Sequence, residues 1–355
     1  MNIVVLAGGL SPERNVSLTS GSLITSALRK KGHRVLMIDV YEGIKNISDP
    51  LSLFSSEDTP VYSAGSRAPT PEEREAIKQN NGGRTELIGE NVIKMCKLAD
   101  VTFLALHGDM GENGQLQATL DVFDIAYTGS GYVGSLLAMD KDIAKKMLQD
   151  ADVLTPVSIR CNLDCEFESI DAIIDSACER IGFPCIVKPC SCGSSVGVSM
   201  VENKEELVSA LELAKRYESA VLIEKRIFGR EFTQAYFDNG TLPPVEIIPK
   251  CGFYDYANKY VANATEEICP APLDDDQLKA ISEATAKGFR ALHLDGYARF
   301  DYILDSDNNF WCLEANTLPG MTPTSLLPQE AAAVGIDYGS LCDKIAKMAL
   351  NKQRK

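Results

Sequence analysis

Four polar side chains alternate along two neighbouring segments that have the pattern of β-strands. They are Arg299, Asp301, Glu314 and Asn316. Because successive side chains of a strand point to opposite faces, each two-residue pair lies on one face, and all four groups converge if the strands pair. Two carboxylates and an amide oxygen are ligands that Mg²⁺ takes, usually with water and nucleotide phosphates. The spacing is also typical of the solvated face of a sheet, so both interpretations stay open at this point.

Two loops contain groups that suit an anion. Residues 317–322 (TLPGMT) follow Asn316 directly, and the backbone N–H groups of such a loop can bind an anion. Lys188 ends an apolar segment and is followed by the turn 193–197 (GSSVG), so an ammonium group and N–H donors come together. The turn lacks the GxxxxGK(S/T) pattern of a P-loop, and an ordinary hairpin loop is the alternative.

These residues need a framework, and the N-terminal part of the chain has the strand, helix and strand pattern of a parallel sheet. The pattern predicts strands at 2–7, 34–39 and 101–106 and a helix at about 16–31. The polar segment 107–114 (HGDMGENG) is predicted to be a loop at the carboxyl end of a strand, where open sheets bind ligands. Residues 42–91 are interpreted as a surface insertion with one short helix, which begins with the capping pattern TPEE at Thr70.

Two further units are predicted after residue 129. The second has helical patterns at about 131–150, strands at 184–189 and 220–227, and a helix at 203–217. The third has strands near 231–237, 245–248, 297–304 and 310–314, a loop at 251–267, a helix at 274–292 and closing helices. We therefore predict three domains, at 1–129, 130–227 and 228–355.

Composition and charge narrow the class of protein. The chain has 355 residues, 45% of them hydrophobic, which is enough for two or three globular domains. Its 50 acidic and 35 basic residues give a formal charge of −15, and no long basic run occurs, so extended binding to nucleic acid or an anionic membrane is disfavoured. The N-terminal apolar run is too short for a signal or a membrane span, and the 11 cysteines lack zinc or disulfide-framework spacing. We expect reduced thiols and a cytoplasmic protein.

Eight motifs occur in an order that resembles the D-alanine:D-alanine ligase family of the ATP-grasp superfamily. They are Gly8-Gly9 with 11–17 (SPERNVS), HGDMGENG, Met139-Asp140-Lys141, 188–197, Glu224-Lys225, Tyr254-Asp255-Tyr256 with Lys259-Tyr260, the Arg299/Asp301 pair, and 314–328 (EANTLPGMTPTSLLP). The resemblance covers nearly the whole chain except 42–91. It implies a mixed α/β (α+β) ATP-grasp fold, with an N-terminal parallel-sheet domain and two α+β ATP-grasp subdomains.

The resemblance also implies a reaction. ATP phosphorylates the carboxylate of one D-alanine, and the amine of a second attacks the acyl phosphate, releasing ADP and phosphate and giving D-alanyl-D-alanine for peptidoglycan. A homodimer is expected as well. Two alternatives stay open: D-serine as the second substrate, and a non-catalytic nucleotide-binding protein that kept the fold. Leu326, and the absence of histidine from 251–267, favour D-alanine over D-serine and D-lactate.

Roles at the nucleotide are implied by the same resemblance. Residues of the phosphate site are Lys141, Lys188, Ser194, Ser195 and Lys259. Residues of the adenine hinge and the ribose site are Glu224, Lys225, Ile227 and Glu231. Ligands of two Mg²⁺ or Mn²⁺ ions are Asp301, Glu314 and Asn316. Residues 251–267 resemble a mobile loop that closes over the site and brings its lysine to the phosphates.

Roles at the two amino acids follow in the same way. Residues implied at the first D-alanine are Glu13, Ser194 and Tyr260 around its ammonium group and His107 near its carboxylate. Residues implied at the oxyanion and the second carboxylate are Arg299, the Gly320 N–H, Ser325 and Leu326. Cys190 and Cys192 lie beside the phosphate turn, where they are either small filling residues or oxidation-sensitive thiols.

Overall fold

Three β-sheets organise the part of the chain that the computed structural model describes, namely residues 1–57, 62, 69–165, 169–193, 195–250 and 265–352. The first sheet contains β1 (Asn2–Ala7), β2 (Arg34–Asp39) and β3 (Val101–Leu104) in the order β2-β1-β3. All its strands are parallel, and helix α1 (Arg14–Lys30) connects the first two. The predicted parallel sheet is confirmed, although β3 ends at Leu104 rather than at residue 106.

A glycine is required where β1 ends. Gly8 has a φ of +75°, and a Cβ atom placed on it would overlap the carboxylate of Asp39 at the end of β2. Only glycine combines that backbone conformation with so close an approach. The chain can therefore turn directly from β1 toward Glu13, which precedes α1.

The predicted insertion contains two short helices in its described part. The 3₁₀ helix Pro50–Leu53 was not predicted, whereas α2 (Pro71–Asn80) begins as expected. Glu73 N donates to the Thr70 side chain at 3.3 Å, and Thr70 N donates to Glu73 Oε2 at 2.8 Å, which completes the capping box. Helix α3 (Val92–Leu98) then leads back to the sheet.

Residues 107–114 are helical over part of their length. Helix α4 (Asp109–Glu112) is followed by α5 (Gln115–Val122). The loop prediction was wrong here because the side chain of Glu112 accepts a hydrogen bond from Gly108 N at 2.6 Å. This bond satisfies an N–H group that the start of a helix otherwise leaves without a partner.

The second sheet is antiparallel and has the order β4-β7-β5-β6. Its unit contains α6 (Tyr132–Met139), α7 (Lys141–Asp150), β4 (Ser158–Asn162), α8 (Ile170–Arg180), β5 (Cys185–Pro189), β6 (Ser199–Val201), α9 (Lys204–Lys215) and β7 (Ala220–Lys225). Asp140 separates α6 from α7 because its side chain accepts from the N–H groups of Asp142 and Ile143. Neither β4 nor α8 was predicted.

The third sheet has the order β11-β10-β8-β12-β13, with β9 paired to β8, and is antiparallel. Its unit contains β8 (Arg230–Phe237), β9 (Gly240–Thr241), β10 (Val245–Pro249), β11 (Thr265–Ile268), α10 (Asp275–Ala291), β12 (Tyr297–Leu304), β13 (Phe310–Asn316), α11 (Leu326–Ala333) and α12 (Tyr338–Asn351). The predicted loop 251–267 is wrong at residues 265–267, which pair with β10 as part of β11. Residues 251–264 lie outside the described residues.

The first and third units share a hydrophobic core. Val5 and Phe103 of the first sheet belong to the same buried cluster as Tyr297 of β12 and Leu341 of α12. The C-terminal helix α12 accordingly packs on α1. Each sheet lies within one of the three predicted domain ranges, but the boundaries themselves stay a prediction. Within the described ranges, no helix combines the length and the apolar character needed to cross a membrane.

Candidate active site

Strands β12 and β13 bring the four alternating polar residues together. Arg299 is paired with Asn316, and Asp301 with Glu314, before a register shift that follows Asp301. Neighbouring side chains on one face of paired strands are within contact distance. The convergence expected from the two-residue spacing is therefore present in the structure.

Asp301 is the centre of this group. Its Oδ1 accepts hydrogen bonds from Thr233 Oγ1 at 2.7 Å and from Arg299 Nε at 2.9 Å. Its Oδ2 accepts from Arg299 Nη2 at 2.9 Å and from Asn316 Nδ2 at 3.1 Å. Two parallel bonds between a guanidinium and a carboxylate fix both planes. The orientation of Arg299 is therefore set by the protein itself.

The donor atoms of Asp301, Glu314 and Asn316 fit a divalent cation. All three side chains offer oxygen atoms, and the Asn316 amide donates its N–H to Asp301, which leaves its oxygen as an acceptor. Hard oxygen donors are what Mg²⁺ and Mn²⁺ prefer. Nowhere in the described ranges do three or more His, Cys, Asp or Glu residues form a metal-binding group. The expected ligand set is compatible with this, since it contains only two carboxylates.

Buried lysines lie on the side of the second sheet. Lys188 Nζ is 2.6 Å from Glu224 Oε1, and both side chains are buried. Lys141, the first residue of α7, donates to the carbonyl oxygen of Cys192 at 2.7 Å and lies 3.6 Å from Glu314 Oε2. A lysine of the second unit thus reaches a carboxylate of the third.

The carboxylate of Glu13 is buried between two glycines from different units. A Cβ atom on Gly108 would lie 2.6 Å from Glu13 Oε2, and a Cβ atom on Gly193 would lie 2.9 Å from the same oxygen. The glycine turn of the second unit therefore reaches the substrate residue predicted in the first. Ser194 and Tyr260, which were predicted beside Glu13, and Lys259, which was predicted at the phosphates, lie outside the described residues.

His107 and Glu112 hold both backbone polar groups of Leu318. His107 Nδ1 donates to the Leu318 carbonyl oxygen at 3.1 Å, since a carbonyl can only accept. The Leu318 N–H donates to Glu112 Oε1 at 3.3 Å. Leu318 lies in the loop that carries Gly320, so the first unit positions the loop that was predicted to bind an anion.

The same two residues have shifted pKa values. Burial lowers the pKa of His107, against the opposing effect of Glu13, so its imidazole is neutral near pH 7. Its Nε2 is buried and has no hydrogen-bond partner in the described part of the chain. Burial, helped by the negative charges of Glu13 and Glu314, raises the pKa of Glu112 to about 7. The effect of Glu13 and Glu314 on Glu112 indicates an acidic surrounding, whose charge a bound cation would offset.

Two family models match the chain. The model described as D-ala D-ala ligase N-terminus matches residues 2–130, and the model described as D-ala D-ala ligase C-terminus matches residues 148–347. The chain belongs to the D-alanine–D-alanine ligase family. The predicted family membership is therefore confirmed, and the chain is an enzyme of this family.

Two D-alanine–D-alanine ligases are similar to this chain over nearly its full length. D-alanine–D-alanine ligase from Pediococcus pentosaceus is 39% identical over 361 residues, which cover 100% of this chain and 98% of that protein. The one from Lacticaseibacillus casei is 38% identical over 349 residues, which cover 96% and 93%.

Solved structures confirm the ATP-grasp fold. D-alanine–D-alanine ligase from Bacillus anthracis complexed with ATP has a TM-score of 0.74 and 30% identity, with coverage of 99% of this chain and 98% of that one. VanG D-Ala:D-Ser ligase from Enterococcus faecalis has a TM-score of 0.73 and 25% identity, with coverage of 98% and 99%.

Four further residues that were predicted at the nucleotide lie in or next to the second and third sheets. Lys225 is the exposed last residue of β7, and Ile227 follows in the link to β8. Glu231 lies in β8 opposite Ile303 of β12. Ser195 has a φ of +57° in the glycine turn. Lys225 pairs with Cys185 at the start of β5, whereas the glycine turn follows Pro189 at the end of β5, so these two lie at opposite ends of the second sheet.

Gly320 and Ser325 are close together, whereas the Leu326 side chain points elsewhere. A Cβ atom on Gly320 would lie 2.9 Å from Ser325 Oγ, which also accepts a hydrogen bond from Thr322 N at 3.1 Å. Leu326 belongs to a buried cluster with Val245 and Ile247 of β10. Its side chain therefore packs into the protein, and any contact with a substrate would come from its backbone.

The thiols of the two cysteines beside the turn ionise poorly. Burial raises the pKa of Cys190 to about 12 and that of Cys192 to about 11. Thiolates are the oxidisable form, so the filling role is the better supported of the two interpretations.

Sequence reasoning missed two residues of the site. Glu112 was hidden in a motif interpreted as a loop, and the hydrogen bond to Leu318 that defines its role spans the chain from residue 112 to residue 318. Lys145 lies one helical turn after Lys141, and this spacing on α7 was the available indication that both face the site.

Proposed function

We propose that the chain ligates two molecules of D-alanine at the expense of ATP and so supplies D-alanyl-D-alanine for peptidoglycan synthesis. The observation that carries this proposal is the buried Glu13 carboxylate, which lies against Gly108 and Gly193 beside the clamped Leu318 loop. A buried anion next to N–H donors suits a small zwitterion, whose ammonium and carboxylate need partners of opposite character.

In this proposal, lysine side chains bind the phosphates of the nucleotide. Lys141 and Lys188, joined by Lys259 and the Ser194-Ser195 turn, bind the phosphates of ATP. The adenine lies at Glu224 to Ile227, and Glu231 binds the ribose. The inward location of both described lysines supports these roles, since buried ammonium groups attract a polyanion strongly.

Asp301, Glu314 and Asn316 would hold two Mg²⁺ or Mn²⁺ ions. When bound, such ions neutralise charge on the transferring phosphoryl group. The support is that all three side chains offer oxygen atoms and that the pairing of β12 with β13 brings them together.

The reaction then proceeds in two steps. A carboxylate oxygen of the first D-alanine, whose ammonium is bound by Glu13, attacks the γ-phosphorus and expels ADP. The amine of the second D-alanine attacks the acyl carbon, and the resulting oxyanion is stabilised by Arg299 and the Gly320 N–H. Phosphate leaves, the amine loses a proton, and the peptide bond remains. His107 lies near the first substrate, and Ser325 with the Leu326 backbone near the second carboxylate.

The assembly and location are further parts of the proposal. Exposed apolar side chains of α5 and α6, among them Tyr132, Val133 and Leu136, offer a surface for a homodimer. Light scattering tests the oligomeric state directly.

We place the enzyme in the cytoplasm, where ATP is available. We treat residues 1–129, 130–227 and 228–355 as its domains.

Release of ADP with defined amino acids tests the activity. The protein is supplied with ATP, Mg²⁺ and D-alanine, D-serine, D-lactate or L-alanine, singly and in pairs with D-alanine, and products are identified by mass. We expect D-alanine alone to give its dipeptide. Turnover only with the D-alanine and D-serine pair would change the acceptor, and ADP release that ignores every D-amino acid would refute the proposal.

A further inference from the structure

Lys145 is a buried lysine that has none of the roles proposed above. Its side chain is 3% exposed, whereas that of the next residue, Lys146, is 68% exposed. Lys145 Nζ lies 2.7 Å from Glu224 Oε2 and donates to the carbonyl oxygen of Pro156 at 3.0 Å. Burial of an ammonium group costs several kcal/mol, and apolar residues of similar volume often serve stability as well or better. Packing alone therefore does not explain a lysine here.

The carboxylate partner of Lys145 is shared with a residue of the ATP site. Glu224 Oε1 lies 2.6 Å from Lys188 Nζ, so each carboxylate oxygen has its own lysine. Burial alone would raise the pKa of Glu224, but the two lysines outweigh it and lower the pKa to about 2. Burial lowers the pKa of Lys145, and the ionised carboxylate of Glu224 opposes that effect. Two ammonium groups thus share one negative charge.

This sharing leaves a net positive charge for a ligand. If Lys188 were the only lysine beside Glu224, its positive charge would be cancelled by the carboxylate. A phosphate of ATP would then have to compete with Glu224 for Lys188. Competition of this kind is severe where water is excluded, because charges interact more strongly at low dielectric. A second lysine on the carboxylate removes the competition.

We propose that Lys145 is a positioning residue for ATP, which neutralises Glu224 so that Lys188 is available to the phosphates. The inference rests on the proposed function, since it takes Lys188 as a phosphate ligand. Lys145 acts through Glu224 and needs no contact with the nucleotide.

Binding of ATP in the presence of Mg²⁺ and without D-alanine tests this role by calorimetry. Four proteins are compared: unaltered, Lys145→Met, Glu224→Gln and the double variant. We expect Lys145→Met to weaken ATP binding by about 10-fold or more, because Lys188 is then the only lysine on the buried Glu224 carboxylate and is held by it. In the Glu224→Gln background the same substitution should change affinity by less than about 3-fold. Lys146→Met is the matched exposed control and should bind ATP normally.

Equal losses in both backgrounds would overturn the inference, as would unchanged affinity in Lys145→Met. If Lys145→Met does not fold, the comparison of Glu224→Gln with the double variant decides, because neither leaves a buried carboxylate unpaired. A loss of about 10-fold in ATP affinity between those two variants would overturn the inference.

The experiment also distinguishes this inference from the proposed function. Normal ATP binding without ligation of D-alanine would refute the proposed function and leave this comparison valid, whereas no ATP binding by the unaltered protein would refute both.

Discussion

Arg299 is held in place before any substrate is present. Its two hydrogen bonds to Asp301, both 2.9 Å long, fix the guanidinium plane. We expect Arg299→Ala to lower kcat by about 100-fold or more, because a preorganised donor to the oxyanion is lost. Arg299→Lys keeps the charge without the two-pronged geometry and should recover only part of the rate. Steady-state kinetics measure both, and a kcat for Arg299→Ala within about 3-fold of the unaltered enzyme would contradict the assigned role.

Glu112 should make stability fall as pH rises. Its pKa is raised from 4.5 to about 7 in the folded protein. Between these values the folded chain binds a proton that the unfolded chain has released, so the free energy of unfolding decreases with pH in this window, by about 1–3 kcal/mol. Glu112→Gln cannot titrate and should show a smaller decrease when urea unfolding is compared at pH 5 and pH 8. Parallel pH profiles for the two proteins would exclude this contribution.

At the scale of elements, the site depends on loops from separate units that meet at Glu13. Gly193 is close enough that a Cβ atom would lie 2.9 Å from Glu13 Oε2. We expect Gly193→Ala to raise the KM for D-alanine about 10-fold by displacing the carboxylate, with little effect on ATP affinity. Gly240→Ala, where the added Cβ has no neighbour within 4 Å, is the control. Identical KM values in the two variants would show that this approach has no role in substrate binding.

Elements with a strong local pattern could be predicted, whereas contacts between distant segments could not. The two-residue spacing of Arg299 and Asp301 indicated one face of β12, and the TPEE pattern indicated the start of α2. β4 was missed because SIRCN is short and has only alternate apolar residues. The 2.7 Å contact of Lys145 with Glu224 and the clamp on Leu318 depend on tertiary packing, for which a single sequence has no periodic pattern.

At the scale of the whole molecule, the first and third units are held together by the core that they share. Leu341 of α12 is fully buried in it, while Leu350 of the same helix is 44% exposed. Leu341→Ala should lower the free energy of unfolding by about 2–5 kcal/mol, and Leu350→Ala by about 0.5 kcal/mol or less. The single tryptophan, Trp311 of β13, and far-ultraviolet circular dichroism should report the loss together. A transition that moves in only one of the two signals would contradict a shared core.

In the proposed reaction the carboxylate of the first D-alanine is phosphorylated, and one of its oxygen atoms leaves with phosphate. D-alanine labelled with ¹⁸O in both carboxylate oxygens tests this directly, with ATP, Mg²⁺ and mass spectrometry of the products. We predict that each phosphate released contains one ¹⁸O atom and that the new peptide carbonyl retains one. Phosphate without ¹⁸O, formed together with the dipeptide, would contradict an acyl phosphate route.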